Sequence, residues 1–107
     1  MIDRPMKPQW LQILLALSQR ELHGYGIQRA VLDATDGHMT LWPAMLYRSL
    51  ETLETEGLIR AVAPPEAEPA DERRQYYALT RAGRKRLTEE VEMLSRWVTA
   101  ARRAGRA

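Results

Sequence analysis

The sequence predicts a mainly α fold with a small β-hairpin, and three observations carry that prediction. Apolar residues recur at helical spacing in four separate stretches. Two short runs of β-type residues, 58–63 and 75–79, flank a segment that holds Pro64, Pro65 and Pro69. The last stretch runs from Thr80 towards Ala104 with no proline and no glycine beyond Gly83. With 107 residues, 45% of them hydrophobic, the chain has room for about one fold unit.

Over residues 9–19, Trp10, Leu11, Ile13, Leu14, Leu15 and Leu17 occupy nearly half of a helical wheel. That is wider than one-sided burial requires, so this helix is expected to be covered on two sides. After a break at His23-Gly24, residues 25–35 read as a second helix with Ile27, Ala30, Val31 and Ala34 on one face and Gly37 as its stop. The third helix starts within 40–43, where Pro43 suits the first turn, and runs to Gly57. Leu46, Leu50 and Leu53 mark its buried face. Opposite them fall Ala44, Arg48, Glu51 and Thr55, a mostly polar surface of short side chains. The hairpin follows, and Thr80 is a good N-cap for the final helix. There Leu87, Val91, Leu94, Val98 and Ala101 alternate at spacings of four and three, broadened by Met93, Trp97, Ala100 and Ala104. One small domain has little left to cover so broad an arc, so a homodimer is expected, with the last helix of one chain on the first helix of the other. Leu14, Leu87, Val91, Leu94, Trp97, Val98 and Ala101 are the expected dimerisation residues.

The order helix, helix, turn, helix, hairpin, helix is that of a winged helix-turn-helix, in which the third helix enters the major groove. Residues 1–79 then form the DNA-binding domain, with the wing at about 58–79, and 80–107 form a C-terminal dimerisation helix. Four motifs add a resemblance: His23-Gly24-Tyr25-Gly26; Leu46-Tyr47-Arg48-Ser49-Leu50; Leu53-Glu54 with Glu56-Gly57-Leu58-Ile59; and Tyr77-Ala78-Leu79-Thr80 with Gly83. Together they resemble the successive signatures of PadR-like regulators over residues 10–87. The resemblance implies a homodimeric repressor that binds a palindromic operator and is released by a small planar or lipophilic effector. One departure stands out: Ala44 and Met45 precede Leu46 where the family commonly carries a hydroxyl residue.

The expected DNA-binding residues are Trp42, Pro43, Ala44, Met45, Tyr47, Arg48, Arg73 and Arg74. Arg48 suits a phosphate before a base, because phosphate contacts are the majority class in such interfaces. The Tyr47 ring is expected on the core with its hydroxyl towards DNA, and Trp42 as a hydrophobic staple in preference to a backbone contact. Arg73 and Arg74 lead into a strand whose side chains alternate, so at most one faces DNA. Glu66, Glu68, Asp71 and Glu72 would repel phosphates, and the acidic wing tip is expected to point away. Trp10, Met93 and Trp97 are the candidate effector-binding residues, with ordinary interface packing the favoured alternative for the last two. The glycines at 24 and 26 read as architecture.

Net charge is only +2, although Arg81, Arg84, Lys85, Arg86, Arg96, Arg102, Arg103 and Arg106 give the last helix a basic bias. No cysteine is present and the two histidines have no acidic pair at ligand spacing, so no metal or cofactor is expected. No nucleophile–base–acid set can be assembled, which argues against an enzyme. No apolar run approaches the roughly 18 residues a membrane span needs, and residues 1–8 lack the form of a secretory leader. A cytoplasmic location is the expectation. The competing reading is a winged-helix adaptor that binds protein, suggested by the near-neutral charge and the acidic wing.

Overall fold

The computed structural model describes residues 5–65 and 74–106. Helix α1 (Pro8–Gln19) opens on a proline, whose missing N–H costs nothing in a first turn, and buries Ile13, Leu14, Ala16 and Leu17. It is the central helix, packed against α2 (Gly24–Ala34), α3 (Pro43–Thr55), strand β3 (Tyr76–Leu79) and α4 (Arg81–Ala104). Its own chain therefore covers Ile13, Leu14 and Leu17 of the wide apolar arc and leaves Trp10, Leu11 and Leu15 partly exposed. Within the single chain it meets the inner part of its own α4, while the outer part of α4 extends beyond this contact. Leu14 has 0% of its surface exposed, and Leu87 joins the same core cluster. Leu14 therefore has no surface left for a second chain, and Leu87, at 7%, keeps little.

The helix ends follow from local chemistry. At the end of α2 the Gly37 N–H donates to the Leu32 carbonyl and the Asp36 N–H to the Asp33 carbonyl. Both residues have positive φ, 52° at Asp36 and 79° at Gly37, the left-handed turn that closes a Schellman motif. Helix α3 ends the same way, with Gly57 at φ 77° and the Leu58 N–H donating to the Leu53 carbonyl. The Thr80 side chain caps α4 by accepting from the Gly83 N–H at 2.9 Å, and its hydroxyl donates to the Gly57 carbonyl at 2.7 Å. One threonine thus ties the start of α4 to the end of α3.

The sheet has three strands in the order β1-β3-β2, where β1 is Leu22–His23 and β2 is Ile59–Val62. The hairpin β2–β3 was expected. Strand β1 was not, because the sequence shows only a break there; it pairs antiparallel with β3, Leu22 opposite Tyr77 and His23 opposite Tyr76. This arrangement of helices and sheet is a winged helix-turn-helix.

Glu90 is the unexpected member of the interior, 2% exposed on α4. Its carboxylate accepts from the Met6 backbone N–H at 2.9 Å and from the Arg86 guanidinium one turn earlier. A buried charge persists where it is paired and hydrogen-bonded. Here it fastens the segment before α1 to α4.

Candidate nucleic-acid interface

Helix α3 is held by its buried Leu46, Ser49, Leu50 and Leu53, which leaves the opposite face to solvent. The turn before it is fixed from α2. The Gln28 side-chain amide donates to the Leu41 carbonyl at 2.8 Å, and the Thr35 hydroxyl accepts from the Met39 N–H at 3.0 Å. Leu41 is fully buried and Leu46 nearly so. They occupy the positions just before the N-cap and four residues after it, the two partners of a hydrophobic staple. Trp42, expected to be that staple, is the N-cap residue itself and is 66% exposed. The sequence placed the staple one residue too late.

Trp42, Pro43, Ala44, Met45, Tyr47 and Arg48 all lie on the exposed side of α3. Among the described residues no ion pair engages Arg48, so its guanidinium donors are open to an incoming group. Tyr47 is 58% exposed and not sunk in the core as expected. Its ring edge lies over Gly24, where an added Cβ would stand 3.1 Å from the hydroxyl oxygen. The glycine thus lets the ring lie close to the start of α2.

His23 organises the neighbouring corner. Its Nδ1 accepts from the Gly26 N–H at 3.0 Å and so caps α2. Its ring stacks on Tyr25 with centroids 6.3 Å apart and meets Tyr76 edge-on at 5.1 Å. Arg74 is exposed and places a guanidinium nitrogen 3.5 Å from His23 Nε2. Arg73 lies outside the described residues, as do Glu66, Glu68, Asp71 and Glu72. Tyr25, 62% exposed, is the aromatic that sequence reasoning left inside an architectural motif. Its only signal there was a large side chain between two glycines.

Tyr77, on β3, holds its phenol proton more tightly than the usual 10.0, first through burial, then through the negative charge of Glu54 and then through Tyr47. A folded-state value raised above the unfolded one contributes stability that is complete below about pH 10 and lost as pH rises through the folded value. Tyr77→Phe is therefore expected to soften the alkaline fall in stability, measured as the urea midpoint across that range. An unchanged alkaline limb would count against the coupling.

Within the single chain the candidate effector residues lie apart. Trp10, with Lys7 over its ring at 5.1 Å, lines a groove of about 670 Å³ shared with Leu53, Leu58, Lys85 and Arg86. Met93 and Trp97 lie outside that groove, farther along α4. Among the described residues no cluster of metal-ligating side chains occurs, and no helix is long and apolar enough to cross a membrane.

A profile of the transcriptional regulator PadR-like family matches residues 13–89. The fold is similar to that of a PadR-like transcriptional regulator from Bacillus cereus, with a TM-score of 0.75 and 21% identity over 92% of this chain and 91% of that one. A transcriptional regulator from Clostridium thermocellum gives 0.73 and 23%, covering 89% and 87% of the two chains. Bacillus subtilis PadR, solved in complex with operator DNA, gives 0.65 and 22% over 79% of this chain and 47% of that one. In sequence, the chain is 36% identical over 86 residues to an uncharacterized 37.1 kDa protein of a Streptomyces fradiae transposon. That match takes in 78% of this chain, which spans only 22% of the relative's length.

Proposed function

We propose, because the chain belongs to the PadR-like family of transcriptional regulators, that it binds double-stranded DNA as a homodimer and represses transcription from a palindromic operator. The observation that carries the reading is the exposed face of α3, where Arg48 has no ion-pair partner among the described residues, on a helix anchored by three leucines. Similarity of fold to a PadR solved with operator DNA supports it. Pro43, Ala44, Met45, Tyr47 and Arg48 form the part that enters the groove, with Trp42 and Arg74 at its edges. Residues 1–79 and 80–107 divide the work, the first for DNA and the second for pairing. Two α3 helices in a dimer would read half-sites about one helical turn, roughly 34 Å, apart. A small planar or lipophilic effector that bound better to a spacing unsuited to DNA would release the complex. A cytoplasmic location goes with DNA as the partner.

The test is a gel shift with duplexes enriched by this protein from a randomised pool, read against Arg48→Ala. The variant is expected to bind at least about tenfold more weakly, since hydrogen bonds to charged groups contribute on the order of 1.5–3 kcal/mol. A phosphate role would also flatten the dependence of log affinity on log salt by about 0.9 for each phosphate that Arg48 neutralises. Failure to enrich any duplex at low salt would turn attention to the protein-adaptor reading, which the net charge of +2 favours.

A further inference from the structure

In the proposed interface the first turn of α3 has little with which to hydrogen-bond a base. Trp42, Pro43, Ala44 and Met45 are consecutive and all exposed, and the indole N–H of Trp42 is the only side-chain donor among them. Pro43 also lacks a backbone N–H. Ala44 lies one turn before Arg48 on the same face, so a methyl group precedes the guanidinium along the helix. Met45, 37% exposed, sets a polarizable thioether beside it.

In the major groove each base edge shows hydrogen-bonding groups, and the one apolar feature is the C5 methyl of thymine. A turn made of methyl, methylene and thioether groups gains from burying that methyl. It gains nothing from an unsatisfied carbonyl or amino group, whose desolvation it cannot repay. We infer that Ala44 and Met45 make α3 a reader of thymine methyl groups, so that each operator half-site carries thymines beneath its first turn and a guanine or a phosphate within reach of Arg48. This rests on the DNA-binding reading and adds to it the base that is read. A hydroxyl side chain at residue 45 would instead offer a donor and an acceptor, and the same fold would then select a different base.

Replacing thymine by deoxyuridine removes only that methyl and keeps every hydrogen-bonding group, which makes the inference testable on the protein as it stands. Duplexes enriched from a randomised pool are resynthesised with a single deoxyuridine at each thymine in turn, and affinities are measured by fluorescence anisotropy. At least one thymine in each half-site is expected to show a loss of about fourfold, the worth of burying one methyl-sized group. In Met45→Ala, whose residue is exposed enough to change without disturbing the core, the penalty at one such position is expected to disappear while that of Arg48→Ala remains. Enriched duplexes that bind equally well with every thymine replaced overturn the inference and leave DNA binding standing. A pool from which nothing is enriched overturns both.

Discussion

Replacing Gly83 with alanine is expected to lower stability by about 3 kcal/mol or more, a drop in Tm of roughly 12–24 °C for a domain of this size. Gly83 sits in the first turn of α4, buried against Leu58 in the link that follows α3. An added Cβ would collide with the Leu58 carbonyl oxygen and stand 2.7 Å from Leu79 Cδ1. A side-chain terminus can rotate away, but the Leu58 carbonyl cannot, because it already accepts from the Thr80 N–H at 3.1 Å. Accommodating the methyl means lifting α4 off the β2–α3 corner, with Thr80 and its bond to Gly57 going too. Gly105→Ala is the matched control: its Cβ meets nothing closer than 3.5 Å. There a slight gain in helix propensity is the expected result, so denaturation of the two variants separates a packing effect from the general cost of leaving glycine. Equal stability of both would show that α4 does not dock on Leu58 in this way.

Gly83 was legible in the sequence as part of a motif, but the reason for it was not. The pattern Tyr77-Ala78-Leu79-Thr80 with Gly83 announces a strand, a cap and a helix. That the glycine answers to a carbonyl on another element is a tertiary fact. The same division runs through the fold. Helix ends were readable because Gly37, Gly57, Pro43 and Thr80 act within a few residues of themselves. Strand β1 was not, because two residues are too few to show an alternation and the pairing that defines it comes from β3, far along the chain. Apolar spacing located the faces of α1 and α4 but not how much of each the chain buries by itself, which is how the internally buried Leu14 and Leu87 came to be expected at a dimer seam. Glu90 escaped notice altogether. A carboxylate on an apolar stripe reads as solvated unless the distant Met6 N–H that it receives is known.

In the candidate site the exposed side of α3 followed from the period of Leu46, Leu50 and Leu53, which needs only local helix geometry. The staple was displaced because Leu41 and Trp42 are both large and apolar and both precede Pro43. Only the backbone decides which of them is the N-cap. Tyr47 is exposed because the residue it meets, Gly24, offers backbone and no side chain to cover it.

The outer half of α4 leads to the second large effect. Val91, Trp97 and Val98 are 46%, 52% and 49% exposed, Leu94 is half-buried and Ala101 is open, so the stripe continues beyond the core with nothing among the described residues to cover it. Contiguous exposed apolar surface of this kind on one helix marks an association site, and the alternating four-and-three spacing suits another helix. If two copies meet there, a carboxylate at residues 91 and 98 of each would bring like charges into an apolar seam without partners. The double variant Val91→Glu, Val98→Glu is therefore expected to be monomeric in sedimentation velocity, against the dimer expected of the unaltered chain. Its helical circular dichroism should be retained, because both side chains already face solvent in the single chain. Affinity for a palindromic duplex should fall by at least about 100-fold, since joining two half-site contacts in one molecule multiplies affinity by roughly 10²–10⁴. Affinity for a single half-site should barely change, and that contrast separates a failure to pair from a damaged reading helix. A variant that remained dimeric would place the pairing surface elsewhere, and one that no longer bound a half-site either would mean that α4 supports α3 directly through the core they share.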